Sequence, residues 1–321
     1  MGRRRRNRGI PINGWLAIYK EPGLTSRQVV ERVQRTTQAA KAGHGGTLDP
    51  FAEGVLPIAL GEATKTTGMV LEGDKGYRCW VSFGRATDTG DPTGEVIAED
   101  GKIPSQAALE EILPQFTGEI SQIPPKYSAL RVDGERAYKK ARRGEEVKID
   151  PRQVTIHQLE LVSFEQEIAV LDVKCSKGTY IRTLASDIAE AVGCKAHLIR
   201  LLRQHTLGFD ADSAVTLESL RSHVEAQKLN EVLHPVDRVL DDIPALRLTP
   251  DAWYHLKQGQ VVTVEQGQAI QTYQGTVRVQ NPAGHFGALG ELLAADPDHP
   301  NSRLVKPVRL FHLEEDSPGA V

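Results

Sequence analysis

Asp49 sits in a run suited to a rigid, non-repetitive loop: Gly43-His44-Gly45-Gly46-Thr47-Leu48-Asp49-Pro50-Phe51-Ala52-Glu53-Gly54-Val55-Leu56-Pro57. Gly43, Gly45 and Gly46 admit backbone angles closed to other residues, while Pro50 and Pro57 restrict φ and remove donors. A residue followed by proline is also biased away from helix. A carboxylate held this way can attack an electrophilic carbon or stabilise developing positive charge; alone, it could equally bond its own backbone in a turn. Other chemistries fit less well. Gly61-Glu62-Ala63-Thr64-Lys65-Thr66 has a superficial likeness to a phosphate-binding loop, but Thr64 replaces the glycine expected before the lysine, and the first glycine is mis-spaced. No His-Glu-x-x-His and no Gly-x-Ser-x-Gly occurs. Cys79, Cys175 and Cys194 are too few and scattered for a disulfide framework or a zinc site.

The elements that must position Asp49 are readable in part. Trp15–Tyr19 reads as a first strand ending at the Pro22-Gly23 turn. Thr25 or Ser26 can cap the following helix, whose Val29, Val30 and Val33 form an apolar stripe. Over Tyr77–Phe83 strict alternation puts Tyr77, Cys79, Val81 and Phe83 on one face and Arg78, Trp80 and Ser82 on the other. A Gly/Asp/Thr-rich loop over 84–94 and a helix over 107–113 come next. Leu171, Val173 and Cys175 mark another alternating strand. Beyond it a helix carries Ile181, Leu184, Ile188 and Val192 on one side, stopped by Gly193. A further helical region is expected over about 216–231.

The chain has 321 residues, 40% apolar and 25% charged, with a formal net charge of −3. That length predicts two domains, or one large domain with an appendage. No run of eighteen apolar residues exists to span a membrane, and a reducing cytoplasm fits the cysteine usage. Arg3, Arg4, Arg5, Arg6 and Arg8 form a basic arm over 1–10, expected to be disordered and able to attract phosphates. No apolar stretch follows it to make a signal peptide. Lys126–Lys148 holds eight Lys or Arg against four Asp or Glu, so a mildly acidic chain can still present a basic face. This stretch is bounded by prolines, contains Tyr127 and Tyr138, and reads as an excursion from the main body with a short helix around 134–143. A boundary is expected near Asp242-Ile243-Pro244. Beyond it, β-like runs at 260–264, 269–273, 275–279, 286–291 and 303–310 predict a small β domain.

The loop at 43–57 resembles the active-site motif of the TruB family of tRNA pseudouridine synthases, and every fixed position of that motif is filled. Further likeness lies in Lys75-Gly76-Tyr77-Arg78 with Gly84-x-x-Thr87-Asp88-Thr89, and in Ile123-Pro124-Pro125-x-Tyr127-Ser128-Ala129-Leu130. Cys175-Ser176-Lys177-Gly178-Thr179-Tyr180-Ile181-Arg182-Thr183 and Gly193-Cys194-x-Ala196-His197-Leu198-x-x-Leu201 extend it. These motifs span about 12 to 240. The resemblance implies an α+β fold: a mixed, mainly antiparallel sheet flanked by helices. It implies a catalytic domain over 11–242 with an RNA-gripping insertion at about 124–152, and a PUA-like RNA-binding β domain over 243–316.

The activity so implied is isomerisation of uridine 55 to pseudouridine in the T arm of tRNA, by a stand-alone, monomeric cytoplasmic enzyme with no obligatory protein partner. Breaking N1–C1′ and rejoining the base through C5 consumes no reagent, so no cofactor or metal is expected. Asp49 is the expected nucleophile, with attack at C1′, attack at C6 and a glycal route all open. An ionised carboxylate in a buried site needs a cation beside it, and by resemblance Arg182 is that cation. The family places Tyr77 against the uridine, where it can stack and take part in proton transfer at C2′. Tyr180 and Leu201 are the expected walls of the base pocket. A uridine inside a folded arm must be flipped out, and His44 matches the residue that fills the vacated space. Lys20 and Lys65 are expected as phosphate or structural partners. The competing reading is a non-enzymatic RNA-binding or tRNA-folding module that keeps the synthase fold.

Overall fold

The structure, a computed structural model, describes residues 9–128, 130–132, 134–265, 273–296 and 299–313. The basic arm at 1–8, residues 269–272 of one expected β run, and 314–316 lie outside the described residues.

A ten-stranded sheet organises the larger part of the molecule. Its path runs through Leu233–His234, Gly14–Lys20, Glu53–Leu60, Ala196–Thr206, Lys75–Phe83, Ile168–Cys175, Arg152–Glu165 and Gly118–Gln122. The short strands Ala42–His44 and Phe209–Asp210 pair beside Glu53–Leu60 and Ala196–Thr206 respectively. Every pairing in this sheet is antiparallel except the one between Ala196–Thr206 and Glu53–Leu60. The sheet is therefore mixed and mainly antiparallel, as expected.

At that parallel junction the two strands approach very closely. Gly54 (φ +106°) pairs with Arg203, and a Cβ there would meet the Arg203 carbonyl oxygen at 2.2 Å. Only glycine fits. The strand Glu53–Leu60 is buried along its whole length, and it was not legible as a strand. Pro57 lies inside it, a residue that ordinarily argues against a central strand. Here the flanking strand Ala42–His44 stops at the pair His44↔Ile58, and the Pro57 carbonyl accepts from Gly45 N at 2.9 Å. His44, expected on the loop, is thus the last residue of a short strand.

One face of the sheet is covered by helices. Helix Ser26–Thr37 is opened by a Thr25 capping box with Gln28, and its buried Val29 and Val33 join Leu16, Ile18, Leu56 and Ile58 in the main core. Helix Ile181–Ala191 brings Ile181, Leu184, Ala185 and Ile188 into the same core, and Gly193 (φ +73°) follows its end. The segment after Pro124-Pro125 carries a two-residue hairpin, Arg131–Val132 with Glu135–Arg136, ahead of helix Ala137–Arg142. The helix was expected; the hairpin was not.

Residues from Ala245 onward build a separate five-stranded sheet, ordered Ala245–Arg247, Gly275–Gln280, Phe286–Asp296, His299–Leu310 and Val262–Glu265. Helix Pro250–Lys257 closes its own small core. This curled sheet is consistent with a PUA-like domain. It docks on the second face of the large sheet, where Phe286, Leu289 and Phe311 pack with Trp15, Val55 and Phe209. Polar contacts align the joint: Lys65 Nζ donates to the Leu310 carbonyl at 2.9 Å and to Glu62 at 2.6 Å, and His312 N donates to Glu62 at 2.7 Å.

Candidate active site

The loop bearing Asp49 is fixed on all sides by hydrogen bonds. The buried Ser26 hydroxyl, at the start of helix Ser26–Thr37, accepts from Leu48 N at 2.8 Å and donates to Leu48 O at 3.1 Å. Gly23 N donates to Pro50 O at 2.8 Å, and Ala52 N to Asp49 O at 3.1 Å. Lys20 is fully buried, 0% exposed, and its ammonium donates to the carbonyls of Glu21, Pro50 and Ala52. Its ammonium therefore binds backbone carbonyls, two of them, Pro50 and Ala52, in the Asp49 loop. Burial lowers the Lys20 pKa to about 8, with nearby Asp49 acting in the opposite sense.

Arg182, in the first turn of helix Ile181–Ala191, comes at the carboxylate from across the cavity. Its Nε lies 3.0 Å from Asp49 Oδ2. The side chain is only 4% exposed, against 34% for Asp49, so the pair is open on the carboxylate side. Both terminal nitrogens of the guanidinium are also engaged: Nη1 donates to Thr89 O at 2.7 Å and Nη2 to Tyr127 O at 2.9 Å. Asp91 Oδ2 stands 3.5 Å from Nη1. Asp91 is itself held, its Oδ1 accepting from Thr89 Oγ1, Thr93 N and Thr93 Oγ1 at 2.8, 3.0 and 2.6 Å. Burial pushes the Asp49 carboxyl above its ordinary range; Arg182 and Lys20 pull it back, and Asp91 adds to the rise.

Asp49, Tyr77, Tyr180, Arg182 and Leu201 line one cavity of about 210 Å³, together with Lys75, Ser128, Ile181 and Arg203 among others. Five residues picked from the sequence thus meet around one space. Tyr77 and Leu201 reach it from neighbouring strands, Lys75–Phe83 and Ala196–Thr206. Tyr180 is steadied by the buried Gln122 side chain, which accepts from Tyr180 N at 3.1 Å and donates to Tyr180 O at 3.4 Å. Burial pushes the Tyr77 phenol up, with the Arg203 guanidinium opposing. Arg203, in register with Tyr77, is buried and donates to Val55 O at 2.9 Å and Gly46 O at 3.2 Å.

His44 and Lys20 are not among the cavity-lining residues. His44 Nδ1 accepts from Gly46 N at 3.3 Å, which leaves the ring proton on Nε2, and burial with nearby Arg203 lowers its pKa. Through that bond it supports the turn into the Asp49 loop.

Sequence reasoning missed Asp91, Arg203 and Gln122. Asp91 lies two residues past the Thr87-Asp88-Thr89 run and is followed by Pro92-Thr93, a pattern that favours an Asx turn. Arg203 follows Leu201 at the strand period. Lys75 opens the Lys75-Gly76-Tyr77-Arg78 motif; its ammonium donates to Leu71 O at 2.7 Å and to Gly73 O, and burial lowers its pKa to about 8. Among the described residues no cluster of three or more His, Cys, Asp or Glu is placed to hold a metal, and no helix is long and apolar enough to cross a membrane.

Residues 34–181 match the description "TruB family pseudouridylate synthase (N terminal domain)", and residues 182–241 match "tRNA pseudouridylate synthase B C-terminal domain". A Caulobacter vibrioides protein named tRNA pseudouridine synthase B is 40% identical over 313 residues, covering 96% of this chain and 99% of the relative. A Pseudomonas aeruginosa protein of the same name is 43% identical over 284 residues, covering 88% of this chain and 92% of the relative. Among solved structures, a chain of a Cbf5-Nop10-Gar1 complex superposes with a TM-score of 0.71 at 24% identity, covering 96% of this chain and 88% of that one. A likeness at that identity speaks to the fold alone.

Proposed function

The chain belongs to the TruB family and is a pseudouridine synthase, and on that premise we propose that it converts uridine 55 in the T arm of tRNA to pseudouridine. The observation that carries the reading is the Asp49–Arg182 pair, 3.0 Å apart on the wall of a cavity. Such a pair provides a carboxylate kept ionised beside a cation, at the edge of a space open to a flipped base.

In this reading Asp49 is the nucleophile, and its loop brings the carboxylate to the nucleoside without a helix or strand crowding it. Tyr77 stacks on the uracil and serves the proton transfer at C2′. Tyr180 and Leu201 close the pocket around the base. Arg182 holds Asp49 in its charged form and in one orientation. Lys20 acts through the loop backbone rather than through a phosphate, because its protons point to carbonyls. His44 fills the space left in the RNA by the extruded base. The segment 124–152 grips the arm, with its basic residues supplying phosphate contacts, and the PUA-like sheet reaches toward the acceptor end. The enzyme acts as a cytoplasmic monomer without an obligatory protein partner.

The test is pseudouridine formation on a T-arm hairpin without added metal or nucleotide, wild type against Asp49→Asn. Turnover by the wild type alone supports the reading. A wild type that binds the hairpin but forms no product would mark an RNA-binding module instead.

A further inference from the structure

Ser128 is 4% exposed and lines the cavity that holds Asp49, Tyr77 and Arg182. Its hydroxyl has no hydrogen-bond partner among the described residues. Buried polar groups are nearly always satisfied, so an orphan of this kind calls for a reason.

The backbone leading into Ser128 is anchored at two points. Upstream, Gln122 is bonded to both backbone groups of Tyr180, and Thr183 Oγ1 donates to Ile123 O at 3.4 Å. Immediately before Ser128, the Tyr127 carbonyl accepts from Arg182 Nη2 at 2.9 Å. The segment 122–127 is therefore anchored to Tyr180, Arg182 and Thr183, and it delivers Ser128 to the pocket that Tyr180 and Arg182 shape. Thr206 Oγ1 is the other unpartnered buried hydroxyl among the described residues, but it is not among the residues lining this cavity.

We propose that the Ser128 hydroxyl is a substrate-binding group that hydrogen-bonds a polar atom of the flipped uridine, on its base or its ribose. The inference rests on the pseudouridine reading of this site. A hydroxyl can donate or accept, so it fits a uracil carbonyl, the imide N–H or the 2′-hydroxyl. The hydroxyl oxygen is itself covered in the free protein, so a turn about the Ser128 side-chain bond toward the cavity would bring it to the nucleoside and satisfy the orphan.

The test compares wild type, Ser128→Ala and Ser128→Cys for kcat/KM on a T-arm hairpin and for melting temperature. Removing an unsatisfied buried hydroxyl leaves the melting temperature unchanged or raises it. Activity falls by about 5- to 100-fold, the loss expected when the substrate partner is stranded in a buried site. Cysteine has nearly the same shape but is a weak donor, so it behaves like alanine; a packing role would make it behave like serine. Repeating the binding measurement with 2′-deoxyuridine at the target separates the two sources: non-additive losses in Ser128→Ala assign the ribose, additive losses the base. Full activity in Ser128→Ala, or a melting temperature that falls with activity, overturns the proposal. A wild type that forms no pseudouridine overturns the reading of the site and this inference with it, whereas an active wild type beside an unaffected variant overturns this inference alone.

Discussion

Asp49 Oδ2 and Arg182 Nε stand 3.0 Å apart, and the same guanidinium is fixed by the carbonyl oxygens of Thr89 and Tyr127. The arginine is thus oriented independently of the carboxylate it serves. Three chain segments far apart in sequence, around 49, 89–91 and 127, converge on one buried cation.

Asp49→Asn separates chemistry from folding. Arg182 keeps its two carbonyl acceptors and Asp91, so the amide leaves no buried charge unpaired. The Asp49 carboxyl has a raised pKa in the folded state, so the folded protein binds this proton more tightly than the unfolded chain. Between the unfolded and folded values stability grows as pH falls, and at neutral pH the ionised form is a net cost. The amide removes that cost. The expected result is a loss of turnover of at least about 1,000-fold, with hairpin affinity and melting temperature held or raised. A variant that loses its fold instead would contradict this.

Arg182→Met should be damaging in both respects. It strands Asp91, 5% exposed, and takes the counter-charge from Asp49. Removing one member of a buried charged pair costs about 3–5 kcal/mol, so the melting temperature should drop clearly alongside activity. Arg182→Lys keeps the charge but cannot reach the Thr89 and Tyr127 carbonyls and Asp49 at once. It should recover part of the stability and little of the rate. Equal stability in all three proteins would show that the network does not act as a unit.

Much of this site could be read from the chain because its parts lie in short local patterns. The loop around Asp49 announces itself through glycine and proline, whereas alternation placed Tyr77 only on an apolar strand face, and its place in the site came from the family resemblance. What stayed hidden depends on pairing between distant strands. Glu53–Leu60 is buried on both faces and so shows no alternation, and Pro57 within it masks a central strand. Arg203 owes its place to a parallel register with Gly54 and an antiparallel one with Tyr77. No local pattern states either register. Asp91 gains meaning only once Arg182 arrives from far along the chain.

The docking of the C-terminal sheet can be tested at Phe311. It is 6% exposed, and its ring centroid lies 4.8 Å from that of Phe286, against the Trp15 and Val55 face of the large sheet. Phe311→Ala should lower stability by about 3 kcal/mol. Since the cavity lies away from this joint, turnover on a short T-arm hairpin should change by less than about twofold. Urea unfolding and single-turnover assays on the hairpin would check both. A large loss of hairpin turnover would mean that the joint positions the cavity.

The acid limb of the pH–rate profile should follow Asp49 and should lie above the ordinary aspartate value of about 3.9. Two neighbours push this carboxyl in opposite directions, which gives the prediction a sign. Lys20 favours the ionised form; Lys20→Met removes that help, raises the carboxyl pKa and moves the acid limb to higher pH. Asp91 disfavours the ionised form; Asp91→Asn lowers the carboxyl pKa and moves the limb to lower pH. The side-chain amide oxygen introduced by Asp91→Asn can still accept from Thr89 and Thr93, so the loop geometry survives the second change. Profiles of kcat/KM for the three proteins on the same hairpin would decide the matter. Shifts in the same direction, or none, would mean that a group other than Asp49 controls the limb.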